Sequence, residues 1–342
     1  MNKTIRLRAL LVAVVALAAT PAFAQETLTL SVYGIAQDGY KRDLYDPFQA
    51  QCGCKIATEA GNSEERIAKM EARKDNPEID LAVLSDFDAL NASRKGLIDP
   101  IDVSKLPNLA KLYDFAKDPL GGHLAVASTF YATSIIYRTD KLQVTSWKDL
   151  WKPELKGRLA LPNVTTTQGP LLLAMAEKAW GGTSPDMTTA IDKIAAIKGD
   201  VTTFYTSSAT LAQLFQQDEI YASVIGRFSW ASFTKLGMKI GWANPSEGQT
   251  GGMNVLVMPK GSKHKDLAYK MLDYWLSTEV QTKLAMDLID SPANAEVKVP
   301  DNVANALTYG ADTAKAVQFI PPAEVLDHRA AWVAAWNQKV AH

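Results

Sequence analysis

The chain has 342 residues, of which 47% are hydrophobic and 21% are charged, and its formal net charge at pH 7 is −1. This length is more than one hydrophobic core usually needs and suits two domains of roughly 150 residues each. The weak, dispersed charge argues against a nucleic-acid partner, because such a partner needs a basic face.

The first 24 residues have the pattern of a cleavable secretory signal. Three basic residues precede an uncharged apolar run at 10–19, and residues 22–24 read Ala-Phe-Ala, a small-x-small cleavage site. The apolar run is too short for a spanning helix, which needs roughly 20 apolar residues. No cysteine for a lipid anchor lies near the cleavage site. We therefore expect a soluble mature protein that diffuses freely in a bacterial periplasm.

The first half of the mature chain alternates strands with helices. Strands are predicted at 27–34, 55–59 and 79–84, with helices at 39–51 and from 63 to about 73. This alternation predicts an α/β domain with a largely parallel sheet. Ligands of such sheets bind where strands end and lead into helices. That rule selects Tyr33, Ser85, Asp86 and Phe87 as candidate ligand contacts.

Both cysteines of the chain lie close together, as Cys52 and Cys54. The periplasm is oxidising, so a local disulfide is one interpretation, although so short a loop is geometrically strained. Free thiols are the second interpretation. A metal site is disfavoured because no histidine lies nearby and a lone C-x-C is a weak motif.

A second α/β pattern follows. Strands are predicted at 159–162, 201–205, 221–225 and 252–258, and the tail ends in an amphipathic helix with Trp332 and Trp336. A polar turn, 165–170, precedes a helix that starts near Pro170, so its hydroxyls and the unpaired N–H groups of the helix start suit an anion. An ordinary solvated helix cap is the alternative.

One segment is similar to a known family. Residues 145–157 read TSWKDLWKPELKG and resemble a segment of bacterial extracellular solute-binding proteins, most closely the spermidine/putrescine-binding group of ABC importers. The stretches 96–102, 252–265 and 291–294 also resemble that group. The similarity extends over nearly all of the mature chain.

The resemblance implies a two-lobed α/β fold of the type II, Venus-flytrap kind, with chain crossings near 131–135 and 246–253. Lobe 1 would hold 25–132 plus 252–308, and lobe 2 would hold 133–251 plus 309–342. The resemblance also implies a monomer that closes on a small solute and delivers it to an inner-membrane ABC permease. Neither a cofactor nor an enzymatic activity is implied.

The sequence departs from the acidic pattern of polyamine-binding relatives. Thr165, Thr166, Thr167 and Gln168 stand at the turn where acids are expected, and Asn254 stands on a strand that would carry one. Arg227, which the resemblance places in the cleft, adds a guanidinium. These residues favour a small polar anion or zwitterion, such as an amino acid, opine or aminophosphonate.

Asp86, facing Arg227 from the other lobe, would complete a zwitterion site. The alternative is that Arg227 is a surface residue in an ordinary ion pair. Five aromatic residues complete the set of candidate ligand contacts, and for each of them a place in the hydrophobic core is the alternative. They are Tyr33, Phe87, Phe130, Tyr131 and Tyr205.

Competing functions have weaker support. The four histidines are scattered, and the chain contains neither a G-x-S-x-G elbow nor a G-x-x-x-x-G-K loop, so we predict no catalysis. A polyamine binder is the main alternative. A ferric-ion binder is a distant one, because related iron carriers use paired tyrosines and this chain has no Tyr-Tyr pair.

Overall fold

The computed structural model describes residues 25–341, so the predicted secretory signal lies outside the described residues. A mixed β-sheet connects the two halves of the described chain. Its strands are β1 (Thr27–Val32), β2 (Lys55–Ala60), β3 (Leu81–Ser85), β4 (Ile98–Asp99), β5 (Val126–Arg138), β6 (Leu159–Pro162), β7 (Val201–Tyr205), β8 (Ala222–Gly226), β9 (Ile240–Trp242), β10 (Gln249–Pro259) and β11 (Val317–Phe319).

Helices connect most of these strands. They are α1 (Gln37–Tyr40), α2 (Asp46–Cys52), α3 (Ser63–Ala72), α4 (Asp86–Arg94), α5 (Asp114–Lys117), α6 (Gln168–Ala179), α7 (Thr188–Ala196), α8 (Ala209–Gln216), α9 (Trp230–Thr234), α10 (Lys265–Trp275), α11 (Thr278–Met286), α12 (Asp301–Ala304), α13 (Ala311–Ala316) and α14 (Pro322–Lys339). Within residues 25–341, no helix has the length and apolar character needed to cross a membrane.

Parallel pairing dominates at the two ends of the sheet and antiparallel pairing dominates in its middle. The main strand order is β2-β1-β3-β10-β5-β8-β6-β7. Strand β1 runs parallel to β2 and β3, and β6 runs parallel to β7 and β8. Between these groups, β10 and β5 pair antiparallel with each other and with the adjacent strands β3 and β8. The predicted parallel α/β halves are therefore joined by an antiparallel ladder.

Two large hydrophobic cores lie on either side of this ladder. The first contains the buried residues of β1, β3 and α10, such as Leu30, Leu84 and Leu272. The second contains residues of β6, α6 and α7 together with Trp332 and Trp336 of α14. Because both tryptophans are almost fully buried, the amphipathic tail helix is an integral part of the second core.

Strand β5 belongs to both sides of the molecule. Thr133 pairs with Thr250 of β10 and also with Gly226 of β8, so the two ladders meet at this residue. A third segment, β11, runs parallel to 249–251 at the same level. The division of the chain into the predicted lobes stays a prediction.

The tryptophan-rich segment 145–157 is fastened to the chain that enters β10. Ser146 and Asp149 form a reciprocal capping box at the start of a 3-10 helix. Trp147 is fully buried, and its Nε1 donates to the carbonyl of Gly248 at 2.9 Å. Glu247 accepts from the Ser146 hydroxyl and the Trp147 amide. The segment therefore holds the loop just before β10 in position.

A disulfide joins Cys52 and Cys54 between α2 and β2. It closes a loop of only three residues, for which the chain-entropy relation gives a stabilisation of about 1.6 kcal/mol. We expect the Cys52→Ser/Cys54→Ser double variant to lose no more than about 2 kcal/mol of unfolding free energy in urea, followed by circular dichroism.

The double variant carries its own control, because the chain has no other cysteine and reductant should leave its unfolding curve unchanged. Loss of more than about 3 kcal/mol would contradict an effect limited to loop entropy.

Candidate functional site

Residues at or shortly after the carboxyl ends of β1, β3, β6, β7 and β8 line two adjoining pockets, which together form a cleft. The larger, of about 470 Å³, is named the hydroxyl pocket for Thr165, Thr166, Thr167, Thr206, Ser208 and Ser229. The smaller, of about 310 Å³, is named the acidic pocket for Asp287 and Asp290. Tyr33, Thr167 and Phe228 line both pockets, so a single solute can occupy the two together.

Hydrogen-bond donors dominate one wall of the hydroxyl pocket. Gln168, at the start of α6, is buried; its Oε1 accepts from the Thr133 hydroxyl, while its Nε2 has no partner among the described residues. The Thr167 hydroxyl makes no hydrogen bond in the described chain, and the N-cap side chains Thr167 of α6 and Ser208 of α8 make no capping hydrogen bond. Unsatisfied buried donors are costly, so this wall is suited to an acceptor from outside the chain.

The helix start at this wall offers fewer backbone donors than predicted. The Gly169 N–H is bonded to the carbonyl and hydroxyl of Thr166, and Pro170 has no N–H. Gly169 is required here because a Cβ would lie 2.5 Å from the Val164 Cα. The side chains of Thr167 and Gln168 therefore matter more than the helix N-terminus itself.

Charges in the hydroxyl pocket are partly balanced. Burial raises the pKa of Asp88, which accepts from the Ser85 hydroxyl at 2.7 Å and lies 3.6 Å from Arg329 of α14. Arg329 also donates to the carbonyl of Thr165. Glu64 lies at the exposed rim.

A buried guanidinium stands behind the same pocket. Arg66 of α3 is 1% exposed, and its guanidinium carbon lies 4.1 Å from the centre of the Tyr33 ring. It donates to the carbonyls of Ser31 and Val83, and no carboxylate pairs with it within residues 25–341. The Tyr33 hydroxyl is bonded to Ser63 at 2.8 Å. Arg66 thus fixes the Tyr33 ring and supplies positive potential at the back of the cleft.

The acidic pocket combines a buried carboxylate with aromatic rings. Burial raises the pKa of Asp290 to about 6, and the Tyr40 hydroxyl donates to its carboxylate. The Tyr131 and Phe228 rings meet edge to face at 4.9 Å. Phe228 can lie against the end of β8 because Gly226 has no side chain; a Cβ there would lie 2.3 Å from its ring. This arrangement suits an ammonium group on a short methylene chain.

Eight of the thirteen predicted contact residues line the cleft. They are Tyr33, Tyr131, Thr165, Thr166, Thr167, Gln168, Tyr205 and Asn254. Asn254 is paired with Ser85 and Thr129 in the centre of the sheet. Tyr205 takes part through its ring, because its hydroxyl is turned to the carbonyl of Val224.

Ser85 and Asp86 lie below the cleft surface. The Ser85 hydroxyl accepts from the Asp88 N–H and so caps α4. Asp86 is 5% exposed and accepts from the N–H groups of Phe87 and Met253. Burial raises its pKa to about 7. The Asp86 carboxylate therefore joins β3 to β10 and does not line either pocket.

Two predicted aromatic contacts are core residues. Phe87 packs in the second hydrophobic core, with Arg329 over its ring at 5.3 Å. Phe130 is fully buried in the first core and meets Tyr113 and Phe115 edge to face. Both positions adjoin the cleft in sequence, but their side chains leave the sheet on the sides that pack against helices and loops.

Arg227 does not face Asp86 across the cleft. It lines a separate pocket with Trp242 and Asn305, whereas its neighbours Gly226 and Phe228 line the hydroxyl pocket. Arg227 begins a short 3-10 helix after β8, and its guanidinium packs against the rings of Trp230 and Trp242 instead of entering the cleft. The predicted Asp86–Arg227 pairing is absent among the described residues.

Sequence reasoning missed Arg66, Asp88, Phe228, Asp290 and Arg329. Arg66 had one detectable signal, a charged residue on the same helix face as the buried Met70. Asp290 and Arg329 come from segments far from the predicted strand ends, so no local pattern reports them. Within residues 25–341, no group of histidine, cysteine or acidic side chains is arranged to hold a metal ion.

Comparisons with known proteins agree on one family. A family model described as bacterial extracellular solute-binding protein matches residues 43–311. The spermidine/putrescine-binding periplasmic protein of Escherichia coli (strain K12) is 28% identical over 252 residues, which cover 71% of each chain. The putrescine/cadaverine-binding protein of Pseudomonas aeruginosa is 28% identical over 314 residues, which cover 84% of each chain.

A solved structure extends the agreement to the fold. The crystal structure of an ABC transporter from Clostridium perfringens ATCC 13124 has a TM-score of 0.81 and 32% sequence identity, and the match covers 92% of this chain and 99% of that chain. The predicted resemblance and the two-lobed α/β fold are both confirmed by these matches. The chain belongs to the family of bacterial extracellular solute-binding proteins.

Proposed function

We propose that this chain is the periplasmic binding component of an ABC importer and that it captures a small zwitterion, such as an ω-amino acid, an opine or an aminophosphonate. Membership of the family and the predicted secretory signal support the transport role. The partners are the solute and an inner-membrane permease, and the protein acts as a monomer. The proposed class of ligand rests on the residues that line the cleft.

The donor-rich wall of the hydroxyl pocket carries the proposal. The unpartnered Nε2 of Gln168 and the hydroxyl of Thr167 point to an acceptor, and Arg66 places a buried positive charge behind Tyr33. A carboxylate or phosphonate satisfies these donors, because an ionised acceptor makes the stronger, charge-assisted hydrogen bonds. An ammonium group would instead face N–H and guanidinium groups that repel it.

The acidic pocket would receive the other end of the solute. Asp290 supplies a buried carboxylate for an ammonium, and the rings of Tyr33, Tyr131 and Phe228 cover the methylenes between the two charged ends. The two pockets share a wall, so a short molecule with opposite charges at its ends fits both. Contacts from both sides of the ladder favour the closed state when the solute is bound.

A polyamine is the second candidate. The sequence relatives named above bind spermidine, putrescine or cadaverine according to their names. Four acids lie at or near the cleft surface, namely Glu64, Asp88, Asp287 and Asp290. Asp88 lies close to Arg329, and Asp287 is paired with Arg42, which leaves Glu64 and Asp290 for a diamine.

Calorimetric titration should separate the two ligand classes. We expect 4-aminobutyrate or 2-aminoethylphosphonate to bind at least tenfold more tightly than putrescine. Gln168→Glu keeps the acceptor for Thr133 and replaces the donor by a carboxylate. This change should weaken the zwitterion by about tenfold or more, which corresponds to about 1.4 kcal/mol, and strengthen putrescine.

Gln338→Glu is the matched control, because it makes the same change at an exposed position of α14. It should leave both affinities unchanged. Tight putrescine binding to the unaltered chain, with no detectable zwitterion binding, would transfer the assignment to the polyamine class.

Affinity for 4-aminobutyrate should rise between pH 5 and pH 7. Burial holds the pKa of Asp290 near 6, so the carboxylate is protonated at pH 5 and ionised at pH 7. Only the ionised form attracts the ammonium, and below the pKa each pH unit costs up to about tenfold in affinity. The carboxylate of this ligand stays ionised throughout the range.

Asp290→Asn should weaken binding at pH 7 and flatten the pH profile. Asp86→Asn serves as the comparison, because Asp86 also titrates near neutrality but does not line the cleft. A pH profile that Asp290→Asn leaves unchanged would remove Asp290 from the site.

A further inference from the structure

A second large pocket lies on the opposite face of β5 from the cleft. Its volume is about 680 Å³. Tyr131 lines the cleft, whereas the next residue, Ala132, lines this second pocket. Adjacent residues of a strand point to opposite faces, so the sheet separates the two pockets. We name the second one the hinge pocket, because Ala132 and Gln249 at its walls lie at the predicted chain crossings. Arg227, Trp242 and Asn305 also line it.

Arg227 is held in the wall of the hinge pocket by two indole rings. Its guanidinium carbon lies 5.2 Å from the centre of the Trp230 ring and 4.4 Å from that of Trp242. One terminal nitrogen donates to the carbonyl of Asn305. These contacts fix the plane of the guanidinium but add no negative charge.

The charge of Arg227 is not matched by any carboxylate. No ion pair to it is found within residues 25–341, and its buried Nε has no hydrogen-bond partner there. Burial lowers its pKa to about 10, which leaves it charged at neutral pH. A half-buried cation with an unused donor is costly unless an anion completes it.

The remaining walls suit a small polar occupant. Asn244 and Gln249 are hydrogen-bonded to each other at 2.7 Å and present amide groups. The Thr308 hydroxyl, which accepts from the Ala132 N–H, can still donate its own hydrogen. The acid at the wall, Asp312, is exposed and unpaired among the described residues, so it lies in water rather than on Arg227.

We propose that the hinge pocket is a second binding site, specific for a small oxyanion that Arg227 grips through its unused N–H groups. The shared chemistry is that of a carboxylate or a phosphate, both of which accept paired hydrogen bonds from one edge of a guanidinium. The site is separate from the solute cleft and goes beyond the proposed function. Its walls come from both sides of the ladder, so an occupant touches chain segments that move relative to each other on closure.

Tryptophan fluorescence provides a local readout, because Trp230 and Trp242 flank the guanidinium. Inorganic phosphate, acetate and citrate are titrated into the full-length mature protein, with chloride holding the ionic strength constant to remove general screening. We expect a saturable change for at least one oxyanion. Comparison of the affinity for phosphate with the affinities for acetate and citrate shows whether the pocket prefers a phosphate or a carboxylate.

Three variants assign the signal. Arg227→Gln should weaken oxyanion binding at least tenfold. Arg227→Lys keeps the positive charge but lacks the planar pair of N–H donors, and it should weaken binding less. Trp242→Phe should reduce the fluorescence change without abolishing binding measured by calorimetry. Thermal melts of each variant show whether it is folded.

Gln168→Glu separates this site from the cleft. The altered cleft should still bind the oxyanion in the hinge pocket with unchanged affinity, so loss of solute binding and loss of oxyanion binding are independent outcomes. The proposal is overturned if the unaltered protein gives no saturable response to any of the three anions, or if folded Arg227→Gln responds as strongly as the unaltered protein.

Discussion

Strands β5 and β10 pair antiparallel across the middle of the sheet, and this ladder joins two groups of strands that are otherwise parallel. Strand β5 passes from the first hydrophobic core, which contains Phe130, to the second, which contains Ile135, whereas the apolar core residues of β10 belong to the first. Thr133, bonded on both sides, marks the point where the two groups meet.

The ladder also separates the two pockets that carry the proposals. On one face, Tyr131 and Asn254 line a cleft in which donors and acids stand at opposite ends. On the other face, Ala132 and Arg227 line a pocket with an unmatched cation. Along β5, the single step from Tyr131 to Ala132 passes from the cleft to the hinge pocket.

The strand–helix alternation, both cores, the tail helix with its tryptophans and the Thr-rich turn at the cleft were predictable from the sequence, because periodic burial and turn chemistry are local properties. The rule that strand ends face the ligand selected Tyr33 and the 165–168 turn, which the structure brings together. The rule did not say which strand-end side chains turn inward: Phe87 and Asp86 follow β3 but are buried beneath the cleft.

The fold class, the family resemblance and the hydroxyl-rich wall could be read from the amino-acid sequence, because each depends on short stretches of chain. The places where the charges meet depend on tertiary packing. Asp290 and Arg329 reach the cleft from segments that are distant in sequence, and Arg66 of α3 stands behind it against the Tyr33 ring. Arg227 lines the other pocket because it begins a 3-10 helix after β8, where its guanidinium packs on the rings of Trp230 and Trp242.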